Sequence, residues 1–279
     1  MRYAFDFPLF DHLSDERVLA ELAYEAEQSG WDAVLVWDHV NLHLAGMASG
    51  GPHAEPWIAL ALMAQRTERI LLGTCVTPVA RRRPIKLARE ILALHRLSAG
   101  RFIFGAGLGV GEAEFDDLGE ERDLSVRGDM LDEGLEIISA ALSGEPVEFD
   151  GEHYTVHSPV ALDKRAEVPI WLAGTWPNKK PFRRAARYDG VYAMKVGFVD
   201  ALTPQDVAAM SSYVQQHREG GTKPFNLAVG ANTTGDNARD RERALALEEA
   251  GANWWLDGTL TPFEDLDALR TRLRAGPPL

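Results

Sequence analysis

The chain has 279 residues, 46% of them hydrophobic and 25% charged, an ordinary globular composition with room for one large domain or two small ones. Its formal net charge of −13 argues against non-specific nucleic-acid binding and against docking on an anionic membrane. A lone cysteine, Cys75, allows no intrachain disulfide, Asp6 interrupts any signal-peptide core, and no apolar run outlasts short stretches such as 58–64, so a cytoplasmic protein is expected.

Residues 3–7 alternate and stop at Pro8, which reads as a first strand. Ser14 or Asp15 caps a helix reaching Gln28, with Leu19, Leu22, Ala23 and Ala26 at helical spacing and Gly30 as its stop. Residues 33–37 form the continuous apolar run of a strand buried on both faces. A loop rich in glycine and histidine follows at 41–53. Pro56 opens a helix to about Arg66, 70–76 is the third strand, and Pro84 opens a helix through 85–97. The fourth strand, 101–106, runs into glycines at 105, 107, 109 and 111, with no clean helix expected behind them. Glycine at alternate positions strips one face of side chains and lets main chain approach a flat or phosphorylated ligand. A dinucleotide fingerprint fits poorly, because Gly111 falls one place late.

Residues 124–142 form a long helix with Leu131, Leu135, Ile138 and Leu142 as its stripe, and a small hairpin occupies 147–156. Strands at 169–173, 190–196, 225–230 and 253–256 then alternate with helices at 178–188, 204–218, 237–250 and 262–273. Eight strand–helix units without a linker predict an α/β fold, one (β/α)8 barrel spanning 1–279. A doubly wound open sheet is the alternative and would need a domain break that the sequence does not ask for.

In such a barrel the chemistry lies at the C-terminal ends of the strands. Asp38 and His39 end the second strand, where a histidine gives or takes a proton near neutral pH and an aspartate orients it or binds a ligand. The alternative is a loop-capping Asp38 and a structural His39. The segment 74–78 reads unaided as an ordinary strand end before Pro78. Arg81–Arg83, Lys179–Lys180 and Arg183–Arg184 are basic runs in an acidic chain, suited to phosphate or carboxylate or else simply solvated. Gly174 and Thr175 before a helix offer an anion site. No cysteine pair or HExxH proposes a metal.

Taken together, Trp37-Asp38-His39, Glu55-Pro56-Trp57, the run from Leu72 to Pro78 with Arg83-Pro84, and Gly105–Phe115 with Arg127 resemble the bacterial luciferase-like superfamily of flavin- and F420-dependent oxidoreductases. Gly151-Glu152-His153-Tyr154, the run from Pro169 to Gly174, and Asp189-Gly190 continue the match. The resemblance implies a barrel with coenzyme F420, or alternatively FMN, in its mouth, and a non-prolyl cis peptide at Cys75–Val76 propping the ring. It implies that Asp38 contacts the ring, that His39 handles a substrate proton and that Thr77 touches the cofactor. Gly107, Leu108 and Gly109 would hold its side chain, and Gly174, Thr175, Asn178 and Lys179 its phosphate. By the same resemblance, some F420 enzymes carry a glutamate just after the glycines as a second acid/base. Here Val110 or Gly111 stands in that place, and Glu112 and Glu114 follow.

The implied function is an F420-dependent oxidoreductase moving a hydride to or from a small organic substrate. The alternatives are an FMN-dependent monooxygenase using O₂ and a non-catalytic cofactor-binding protein. A small-molecule substrate is expected, with no nucleic-acid or membrane partner, and a homodimer is left open.

Overall fold

The computed structural model describes residues 1–40, 43–44, 47–48, 51–110, 112–198, 200–218, 224–258 and 265–278. Among them, eight parallel strand positions close into a barrel. The strands are Arg2–Phe7, Ala33–Val36, Leu71–Thr74, Phe102–Gly107, Ile170–Trp176, Gly190–Lys195, Asn226–Gly230 and Trp254–Asp257. The register passes round the ring through Phe5 beside Val34, Val34 beside Leu72, and Leu72 beside Phe102. Phe104 then pairs with Ile170, and Leu172 with Val191. Val191 pairs with Leu227, Val229 with Trp255, and Trp255 returns to Tyr3. These are buried apolar residues, as strands covered on both faces require.

Side chains fill the barrel interior. Ala4, Ala33, Leu35, Ile103, Trp171, Tyr192, Ala228, Trp254 and Leu256 form one buried cluster, with Cys75 and Val76 packed over it. Large rings are matched by small neighbours. Trp171 lies in register between Gly105 and Gly190. A Cβ on Gly190 would meet the Trp171 ring at 2.9 Å, and one on Gly105 would strike the Thr74 carbonyl. A second, larger core joins the outer strand faces to the helices.

Side chains cap several of the helix starts. The Asp15 carboxylate accepts from the Arg17 amide at Glu16–Gln28, and Glu55 accepts from Ile58 at Pro56–Arg66. Asp123 accepts from Ser125 and Val126 at Leu124–Leu142. Thr203 and Asp206 make a capping box at Pro204–His217.

Four expectations change. The third strand stops at Thr74 and resumes at Thr77–Pro78 after a cis Cys75–Val76 peptide, and both pieces pair with the fourth strand, so the resemblance overrides the plain strand end read from the sequence. The fifth strand runs on through Trp176, which places Gly174 and Thr175 in the ladder beside Ala193 and Met194 rather than at a helix N-terminus. A short helix, Glu112–Asp117, does follow the glycines, starting one residue after Gly111, which lies outside the described residues. The hairpin strands are Val147–Asp150 and Thr155–Ser158, and a smaller antiparallel pair, His43–Leu44 with Met47–Ala48, lies in the loop expected at 41–53. The rest of 41–50 and the expected helix start at 262–264 lie outside the described residues.

Candidate active site at the barrel mouth

The second strand ends at Val36, which delivers Asp38 and His39 to the C-terminal rim. Asp38 is 3% exposed. Both of its carboxylate oxygens accept from Arg82 Nη2, at 3.0 and 2.9 Å, and Trp57 Nε1 donates to it at 3.4 Å. Arg82 in turn lies 3.8 Å from Glu55 and over the Trp57 ring. Asp38 is therefore held by an arginine, not by its histidine neighbour.

The partner of His39 comes from elsewhere in the chain. Nδ1 of His39 lies 3.0 Å from Oε2 of Glu114, on the short helix behind the glycines. The same carboxylate accepts from the Val40 amide at 2.6 Å and from Arg81 Nη1 at 3.2 Å. Burial opposes the charge on Glu114, but the His39 hydrogen bond and charge, the Val40 amide and Arg81 outweigh it. The carboxyl is held down to about 2. Glu114 is therefore an anion at neutral pH, and it fixes the His39 proton on Nδ1. Nε2 is left as the exchangeable nitrogen.

Further contacts hold the helix that carries Glu114. Arg81 also donates through Nε to Glu120 at 2.8 Å. Its guanidinium lies 4.4 Å from the centroid of Phe115, and Arg127 lies 3.8 Å from the same ring. Arg127 is fully buried and donates to the Leu108 carbonyl at 3.0 Å. Phe115 fills the space a Cβ on Gly109 would need, and Gly109 has φ +80°. The glycine run is thus shaped for Phe115 on one side. On the other, a Cβ on Gly107 would meet Val76 Cγ2 at 2.6 Å.

The floor of the mouth is the cis Cys75–Val76 unit, half-buried above the interior cluster. Beside it the Thr77 hydroxyl is buried with no hydrogen-bond partner among the described residues. Burial, with Asp6 adding to it, pushes the Cys75 thiol well up, and burial does the same to the Tyr192 hydroxyl. Both stay protonated, so neither is a nucleophile. A flat, side-chain-poor shelf carrying one unsatisfied hydroxyl fits a planar ring with polar edges.

On the far rim Asn178 Nδ2 donates to Thr175 Oγ1 at 3.1 Å, and Lys179 Nζ stands 3.4 Å from the Trp176 ring centroid and 4.8 Å from that of Tyr213. The helix beginning there, Lys179–Ala185, is shorter than the expected 178–188. Arg184 is not a rim cation. It is bonded to both oxygens of Asp132, at 2.6 and 2.7 Å, and to the Gly128 carbonyl. Arg81 and Arg82 are likewise bonded to internal carboxylates, which leaves Arg83 as the exposed cation of the run 81–83.

The chain spans about half the length of the curated relatives it matches. It is 34% identical over 167 residues to an F420-dependent glucose-6-phosphate dehydrogenase of Nakamurella multipartita, covering 57% of this chain and 47% of that one. The enzyme of the same name from Mycolicibacterium fortuitum is 27% identical over 238 residues, 83% of this chain and 64% of that one. Among solved structures, the coenzyme F420-dependent tetrahydromethanopterin reductase of Methanopyrus kandleri superposes with a TM-score of 0.76 at 16% identity, covering 98% of this chain and 96% of the other. An F420-dependent secondary alcohol dehydrogenase gives 0.76 at 18%, covering 99% and 98%. These likenesses show a shared fold. The luciferase-like monooxygenase model matches residues 11–271, and the chain belongs to that family.

Proposed function

We propose that this protein is an oxidoreductase that transfers a hydride between coenzyme F420 and a small hydroxyl or carbonyl compound. The observation that carries the reading is the Glu114–His39 pair, which leaves one histidine nitrogen free for proton exchange at the rim of a ring-sized shelf. The relatives named for F420 support the choice of cofactor.

In this reading Cys75, Val76 and Thr77 form the shelf, Asp38 borders the ring, and Gly107, Leu108 and Gly109 line its side chain. Gly174, Thr175, Asn178 and Lys179 border its acidic part. When bound, the deazaflavin accepts or gives a hydride. His39 does the proton work. His39 holds a proton on Nδ1 toward Glu114 and takes the hydroxyl proton of an alcohol at Nε2 as the carbon gives up its hydride. The reverse direction returns that proton to a carbonyl oxygen. Glu114 stabilises the imidazolium that forms and keeps the ring oriented, without itself exchanging a proton. Asp38, neutralised by Arg82, adds no free negative charge beside the incoming hydride.

Titration of tryptophan fluorescence with F420 and, separately, with FMN tests the reading. Trp37 and Trp176 flank the mouth. Tight F420 and weak FMN binding is the expected result. Tight FMN binding with O₂ consumption would replace it by the monooxygenase reading, and binding of neither would refute the cofactor site. A homodimer in the cytoplasm completes the reading, and sizing in solution checks the dimer.

A further inference from the structure

The charges around His39 bear on what the mouth admits. Among the described residues, Arg81, Arg82, Lys195, Arg243 and Arg272 on its side of the rim each have a carboxylate partner, whereas Arg83 is exposed without one and lies by Tyr154 of the hairpin. Arg82 is bonded to Asp38, and Arg81 to Glu114 and Glu120. Their side chains are only 21% and 7% exposed. Lys195, which ends the sixth strand, donates to Asp206 at 3.1 Å, and Asp206 is already fixed in its capping box. Arg243 is bonded to Asp240 at 2.9 Å, and Arg272 to Asp257 at 2.6 Å at the end of the eighth strand.

The rim loops supply little else. Residues 196–203, 231–236 and 258–265 contain no lysine or arginine. Residues 112–123 carry seven acids and a single cation, Arg122, which faces Asp116 at 3.7 Å. A phosphate placed beside His39 would have to take Arg81 or Arg82 from Glu114 or Asp38, leaving a buried carboxylate unpaired, a strongly disfavoured exchange. Three strands round the barrel the pattern reverses. Lys179, Lys180 and Arg183 are exposed and have no carboxylate partner among the described residues. The anionic part of the cofactor has cations there, whereas the cations that touch Glu114 and Asp38 beside His39 are already bonded.

Resting on the F420 reading above, we infer that the substrate is an uncharged alcohol, or the carbonyl compound it becomes, and not a phosphate ester or a carboxylate. Its hydroxyl proton goes to His39 Nε2, its carbinol hydride goes to F420, and a carbonyl remains. This separates the chain from the relatives named for glucose 6-phosphate.

F420 binding is measured first, by tryptophan quenching. The F420-loaded protein is then assayed at 420 nm against matched pairs: glucose and glucose 6-phosphate, glycerol and glycerol 3-phosphate, and 2-butanol and 3-hydroxybutyrate. Glucose 6-phosphate is also titrated into the loaded protein by calorimetry. The expected result is turnover of at least one uncharged member with kcat/KM at least about tenfold above its charged partner, and no saturable heat from the phosphate ester. F420 binding with equal or better turnover of a charged member, with saturable phosphate-ester binding, or with no turnover of any uncharged alcohol would overturn the inference while leaving the cofactor assignment standing. No F420 binding would overturn both.

Discussion

Glu114 is an anion at neutral pH and touches the one nitrogen of His39 that faces away from the exchanging side. Glu114→Gln keeps an acceptor for the Val40 amide but removes the charge that favours imidazolium. We expect kcat to fall by about 10²-fold with KM little changed, since the loss is felt as the proton moves. His39→Ala should cost at least as much, and a variant retaining full activity would remove His39 from the chemistry. The same carboxylate has a second signature. Its pKa lies at about 2 in the folded protein against an ordinary 4.5, so its contribution is present above the unfolded value and is lost as pH falls through the folded one. The shift corresponds to about 3 kcal/mol. Urea unfolding of the wild type and of Glu114→Gln at pH 7 and near pH 2.5 should show the stability gap closing toward acid. Asp38 and His39 were legible because they interrupt an apolar strand at its end. Glu114 was only one of two candidates, since its partner lies 75 positions away in the sequence.

The short helix Glu112–Asp117 is held by a clamp of one aromatic ring between two guanidinium groups. Gly109 permits the clamp twice over, by its positive φ and by the space it leaves for Phe115. Gly109→Ala should therefore act beyond its own position. We expect a loss of about 2–3 kcal/mol from strain and overpacking, with kcat falling as the helix and Glu114 shift from His39. Gly107→Ala meets Val76 instead and has no positive φ. Its effect should fall on F420 affinity more than on kcat, and fluorescence titration alongside steady-state kinetics separates the two variants. The alternating glycines flagged this segment in the sequence. The helix behind them was missed because a six-residue element with acids at most of its positions has no periodic stripe, and Arg81 and Arg127 supply its stability from outside. The basic run 81–83 stayed open to two readings for the same reason: charge is visible in a sequence, and the carboxylates that pair with Arg81 and Arg82 are not.

At the scale of the whole molecule, the strand–helix alternation was enough to read the barrel, because each buried strand demands a covering helix and eight such units close on themselves. What alternation does not reveal is how the closure is fastened. Strand one pairs with strand eight, and on the face opposite the mouth the chain's two ends are bound together. Tyr3 donates to the Pro278 carbonyl at 3.1 Å, Trp31 Nε1 donates to the Leu273 carbonyl at 2.9 Å, and the N-terminal ammonium meets Glu248. Pro277 and Pro278 are buried behind Gly276, whose φ of +76° turns the chain past Ser29. Removing residues 277–279 would leave the Tyr3 hydroxyl unpaired and uncover apolar surface beneath the barrel, a loss of about 1–3 kcal/mol. At roughly 2–4 °C per kcal/mol for a chain of this size, Tm should fall by several degrees. The site groups all lie at the opposite ends of the strands, so kcat and F420 affinity measured well below Tm should not change. A truncation that left Tm intact would show that the tail contributes no fastening. One that impaired F420 binding at low temperature would show that the two faces of the barrel are coupled rather than divided between stability and chemistry.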